Sequence, residues 1–336
     1  MTVTQESRTY PSLRDTANRI GICLCIMIAL MQGGNFFWTT LDLALRDRLP
    51  AEHAYFCSVL IETISYLSYF MIPALLFAPL SRGREREPIR FDTRMPAYSP
   101  LLVLSGVAFT YAVAQFNGWL MDRIGYGVDS VPVYSGGNDP LAIALFITVS
   151  LAPAFCEEFL FRGVVYGNLR RFGVPFAGIV SSLLFALMHE NIAQTIYTFA
   201  GGIALALCYE LSGSIWCGTF LHLFNNLLSC VSEILLARMG EDALPVLYIT
   251  DGCMLGLGVI STLILLFLYR KNQRQPDTAS GGSLIGRLPE SLPPTPVVHV
   301  KAGTVVSGLL APGMIVYVAV EIAITALNAA MVYGGF

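Results

Sequence analysis

The chain has 336 residues, of which 55% are hydrophobic and only 13% charged, and its mean hydropathy is +0.63. A soluble domain carries about 25% charged residues, so this composition excludes a cytosolic enzyme and a disordered scaffold. Twenty basic against 23 acidic residues leave no excess for binding nucleic acid.

Nine apolar stretches follow one another at 20–38, 55–80, 98–121, 141–164, 174–190, 192–211, 214–237, 246–269 and 303–333. Each is close to or above the ~17–25 residues that span a bilayer as a helix. No small-residue cleavage site follows the first, which reads as an uncleaved span rather than a signal peptide. The expectation is an all-α, polytopic helical bundle of about nine transmembrane helices, with the chemistry in the fourth to seventh. Its parts would be an N-terminal three-helix region (1–139), a four-helix core (140–237), an eighth helix (238–269), a flexible cytoplasmic linker (270–302) and a C-terminal helix (303–336). The linker carries QPDTASGGS and LPPTP, a composition that extends rather than folds. It sets the last helix apart as an appendage.

Orientation follows from the basic residues. With the N-terminus inside, fifteen Lys and Arg fall in inner segments, four (Arg46, Arg48, Arg123, Arg238) in outer ones, and Arg162 within a span. The positive-inside rule then puts the N-terminus in the cytoplasm and the C-terminus outside. The compact loops suit a bacterial plasma membrane. All eight cysteines lie in or at the edge of apolar stretches, none in a C-x-x-C pair, and read as small hydrophobes.

Ionisable groups within spans are costly and mark function. The fourth stretch holds Glu157, Glu158 and Arg162; the fifth ends with Phe185 and His189; the seventh contains His222 and Asn226. Glu158 and Arg162 share a helix face at i, i+4, so one carboxylate is neutralised while Glu157, ~100° around the helix, points elsewhere. His222 and Asn226 also share a face. At ~1.5 Å per residue from the inner turns, Glu157, His189 and Asn226 lie ~20 Å deep and His222 ~14 Å. Four polar side chains from three helices meet near one level.

A buried carboxylate with a histidine can hold and deprotonate water. A second histidine and an asparagine are donors for a developing oxyanion. That set performs peptide hydrolysis. Glu157, His189 and His222 could equally ligate Zn2+ with one position open. Other protease signatures are missing: His189–Glu190 lacks the second histidine of H-E-x-x-H, with Ala193 in its place, and Gly256-Leu257-Gly258-Val259 has valine where G-x-G-D needs aspartate. Cys156, beside Glu157, has no neighbour that would activate a thiol.

The motifs EE-x3-R (Glu157, Glu158, Arg162), F-x3-H (Phe185, His189) and H-x3-N (His222, Asn226), in order on successive apolar stretches, resemble the CPBP family. This group comprises CAAX prenyl-protein proteases and bacteriocin-processing enzymes, and is also called the Abi or type II CAAX endopeptidase family. The resemblance covers roughly residues 140–237 and has no departure at the motif positions. It implies that Glu157 activates water with His189, that His222 and Asn226 stabilise the oxyanion, and that Glu158 and Arg162 support them. It leaves the cofactor open, since members have been described as metalloproteases and as glutamate proteases. Asn225 competes with Asn226, but only Asn226 stands four residues from His222. The implied partners are a peptide or membrane-tethered protein substrate and membrane lipids. The alternative is a non-catalytic scaffold or bacteriocin self-immunity factor of the same fold.

Overall fold

A computed structural model describes residues 11–82, 86–125, 146–273 and 302–333. These residues form helices with no strand among them. They are α1 (Leu13–Arg46), α2 (Ala51–Leu80), α3 (Ser99–Arg123), an irregular helical run α4 (146–172), α5 (Val174–Leu187), α6 (Ile192–Ser212), α7 (Ile215–Met239), α8 (Leu244–Gln273), α9 (Ala302–Leu309) and α10 (Pro312–Tyr333). Each expected stretch falls on one or more of them, apart from residues 141–145, which along with most of the expected linker and residues 334–336 lie outside the described residues.

Among the described residues, six helices are long and apolar enough to cross a membrane by length and composition, one of them the run Ile215–Lys271. That run contains α7 and α8, joined by a short turn at Gly240–Ala243. Apolar side chains stand outward, Phe36 at 80% exposure and Phe267 at 65%. Such a surface is at home in lipid and would be costly in water.

One end of the bundle gathers the start of α1, the 86–94 segment, the 170–173 turn and the α6–α7 turn. Arg171 donates to the Pro11 carbonyl at 2.7 Å and to Thr16 at 2.9 Å. Ser214 donates to the Asp92 carbonyl at 2.6 Å, and Arg170 pairs with Glu210 at 2.6 Å. The α6–α7 turn is closed by Gly213 in the left-handed region (φ 70°), a conformation glycine adopts without steric cost.

Helix α4 is where regularity fails. It runs through a π segment (Phe146–Leu151), an α segment (Ala152–Glu158), a second π segment (Phe159–Tyr166) and a closing 3-10 turn (Arg170–Phe172). Pro153 has no N–H to give to the preceding turn, and the ladder shifts register around it. Both glutamates and Arg162 sit on this stretch.

The C-terminal helix is not an appendage. Pro312 breaks the expected stretch in two, because proline cannot continue α9 and is preorganised to start α10. The freed N–H of Gly313 donates to Asn18 of α1 at 2.8 Å, and Gly21 and Gly313 let the two backbones approach where neither could carry a Cβ. Further along, Tyr317 donates to the Leu184 carbonyl of α5 at 2.8 Å.

Candidate active site

Helix α5 has 14 residues and so reaches only about 21 Å. It ends at Leu187, and His189 lies in the four-residue break before α6. Irregular backbone at membrane depth is tolerated where protein covers it and satisfies its polar groups. Asn328 of α10 does so here, donating to the Glu190 carbonyl at 3.2 Å; beside it Asn117 of α3 donates to the Ala193 carbonyl in the first turn of α6 at 2.6 Å, and Gln32 of α1 donates to the Glu190 carboxylate at 2.7 Å. Glu190 takes a positive φ of 51°, a strained conformation for a non-glycine residue that neighbouring contacts must hold.

Glu157 and Glu158 are 4% and 0% exposed, Arg162 1% and His222 7%. Arg162 donates to Glu158 Oε1 at 2.8 Å and to the Gly202 carbonyl at 3.2 Å. The same Glu158 oxygen lies 3.1 Å from His222 Nδ1. A carboxylate only accepts, so this contact puts a proton on Nδ1 and turns Nε2 toward Glu157, whose Oε2 is 3.7 Å away. Gly218, one turn before His222, makes room for this: a Cβ there would stand 2.9 Å from Glu158 Oε2.

Phe185 is the wall of the site. Its ring meets His189 edge-on at 5.0 Å, His222 edge-on at 5.9 Å, and lies 4.4 Å beneath the Arg162 guanidinium. His189 Nδ1 is 2.9 Å from the Phe185 carbonyl, which leaves its Nε2 for other work, and the ring lies within electrostatic reach of Glu157, His222 and Arg162. Asn226 stands one turn beyond His222 on α7 and is half-buried. Asn225 is engaged elsewhere, donating to Thr110 of α3 at 3.0 Å. The structure therefore brings Glu157, Glu158, Arg162, Phe185, His189 and His222 together, with Asn226 on the adjoining turn.

Two neighbours had no sequence signal. Tyr66 of α2 donates a hydrogen bond to Glu157 Oε1, but among the tyrosines and serines of its own helix nothing marks it. Gly202 packs against Ser182 of α5 so closely that a Cβ would stand 2.8 Å from it. Among the described residues, Oε2 of Glu157, Oε2 of Glu158 and Nε of Arg162 are buried without a hydrogen-bond partner. Unsatisfied polar atoms clustered in a buried place are groups that a reacting molecule could engage. The donor types of Glu157, His189 and His222 suit zinc, yet among the described residues no three His, Cys, Asp or Glu side chains are disposed to hold a metal ion.

Buried carboxylates, two histidines and an arginine walled by an aromatic ring form one polar cluster inside a helical membrane bundle. Residues 139–228 match the family model described as Type II CAAX prenyl endopeptidase Rce1-like, and all three motifs lie within that segment. The Bacillus subtilis (strain 168) protein named "Putative membrane peptidase YdiL" is 30% identical over 131 residues, 37% of this chain and 54% of that protein. The match thus spans about half the length of that relative. No solved structure matches. Both findings are likenesses to membrane peptidases over part of the chain, and both are similarities of sequence.

Proposed function

We propose that the chain is an intramembrane endopeptidase that hydrolyses a peptide bond in a membrane-associated or peptide substrate by glutamate- and histidine-activated water. The observation that carries this reading is Glu157: a buried carboxylate with one oxygen held by Tyr66 and the other unpartnered beside His222. In this reading water binds at Glu157 Oε2 with His189 as its second contact, and Glu157 takes its proton as the oxygen attacks the scissile carbonyl. The oxyanion receives hydrogen bonds from Asn226 and from protonated His222 Nε2. Glu157 then returns the proton to the leaving amine. Glu158 holds the His222 ring, and Arg162 holds Glu158. This scheme runs through the chain's own residues, and zinc is kept as an arm of the test.

The basic residues near one end of the bundle support an N-terminus in the cytoplasm, and the compact loops suit a bacterial plasma membrane. Substrates would enter laterally or from that side: prenylated protein tails, or peptide leaders and toxin precursors.

The test uses the purified protein in liposomes with a defined mixture of farnesylated C-terminal peptides and unlipidated leader peptides, read by mass spectrometry. The wild type should generate new termini and Glu157→Gln none, with unchanged helical content by circular dichroism. Equal products from both would sink the peptidase reading; cleavage by neither would favour the scaffold or immunity alternative. Metal analysis and treatment with 1,10-phenanthroline separate the two chemistries: activity lost to the chelator and restored by zinc would replace the metal-free scheme.

A further inference from the structure

The segment matched by the family model begins at residue 139, yet a hydrogen bond to Glu157 comes from far outside it. Tyr66 lies on α2, 91 residues earlier in the chain, and its hydroxyl meets Glu157 Oε1. The tyrosine ring is stacked on Phe70 at 4.9 Å and 25°, and Phe70 is 1% exposed, so the hydroxyl is held by a fixed ring rather than a mobile chain. The direction of the bond is unambiguous, because the phenol has one hydrogen to donate and a carboxylate only accepts.

We infer that Tyr66 is a positioning residue for Glu157, engaging Oε1 so that Oε2 is the oxygen presented to the reacting water. Without that hydroxyl, both oxygens of a carboxylate that is 4% exposed would lack a donor, and a buried ionised group seeks the nearest one. His222 stands within reach, its Nε2 3.7 Å from Oε2. The carboxylate would close onto the imidazole, and one movement would withdraw both the base and an oxyanion donor. A phenol on a neighbouring helix prevents this without adding charge. Phenylalanine keeps the stack on Phe70 and lacks only the donor.

The kinetic half of the inference rests on the peptidase reading; the spectroscopic half does not. Tyr66→Phe should lower kcat about 10- to 100-fold, the worth of a hydrogen bond to a charged group, with KM within about twofold. It would be assayed on whichever peptide of the farnesylated and leader mixture the wild type cleaves. Independently of turnover, the infrared carboxyl band that disappears in Glu157→Gln should change frequency in Tyr66→Phe and stay in place in Tyr69→Phe. Tyr66→3-fluorotyrosine, which keeps the ring and strengthens the donor, should move that band the opposite way and guards against a misfolded Phe variant. A Glu157 band unmoved by both Tyr66 variants, or full turnover by Tyr66→Phe, overturns the inference. A wild type that cleaves no peptide while the band moves overturns the peptidase reading and leaves the Tyr66–Glu157 bond standing.

Discussion

Two arginines of the same helical run, Arg170 and Arg162, pair with glutamates and do different things. In the first, Arg170 reaches across to Glu210 of α6, with Nε on Oε2 at 2.6 Å and Nη2 on Oε1 at 2.8 Å, and Tyr166 donates to Oε2 at 2.7 Å. Both carboxylate oxygens are occupied, and the pair ties two helices at the end of the bundle. In the second, Arg162 and Glu158 are one turn apart on α4, and a single oxygen of Glu158 takes both Arg162 and His222. Its other oxygen and Arg162 Nε are left without a partner among the described residues. A charge pair with all its atoms satisfied is a clamp; one with atoms left over, next to a second carboxylate in the same condition, is a site.

Removing one member of each pair probes this contrast. Arg162→Met strands the Glu158 carboxylate at 0% exposure and should destabilise the protein by about 3–5 kcal/mol, measured by unfolding in mixed detergent micelles. Adding Glu158→Gln should recover much of that loss while the proposed peptidase activity stays lost. Glu210→Gln should cost less, about 1.5–3 kcal/mol for weakened charged hydrogen bonds, and should leave kcat within about threefold of wild type. Equal losses of turnover in the Arg162 and Glu210 variants would erase the distinction between clamp and site.

Space can be tested as well as charge. Gly218→Ala places a methyl 2.9 Å from Glu158 Oε2, and overpacking of this kind costs about 1–3 kcal/mol. Because it displaces the carboxylate that holds His222, turnover should fall by more than the stability loss explains. The smallest effect is expected at Gly252 and Gly256, which form a G-x3-G pattern in α8 but meet nothing within 4 Å among the described residues. Gly252→Ala should shift stability by no more than about 0.5 kcal/mol. Gly258, which a Cβ would press against Ala108 and the Leu104 carbonyl of α3, is the residue that closes that helix pair, and Gly258→Ala should unfold earlier than Gly252→Ala.

The G-x3-G pattern shows where reading stops: small residues at that spacing permit close packing, but which glycine faces a neighbour depends on how α8 is turned against α3. The same holds for the C-terminal helix, set apart by its linker composition and yet bonded to the Asn18 side chain and the Leu184 carbonyl. In the core, the acidic and basic residues of α4, His189 in the break after α5 and His222 of α7 were legible because charge in an apolar stretch has few innocent explanations.

What the sequence determined by itself is the all-helical membrane class and the identity of the polar cluster. Both follow from local rules: hydrophobic length makes a span, and intramembrane charge must be compensated. Only the tertiary structure decided which atoms face each other. Tyr66 joined Glu157, Asn225 turned to Thr110, and Gly218 made room for Glu158, because each depends on the rotation of one helix against another, and no single helix carries that information.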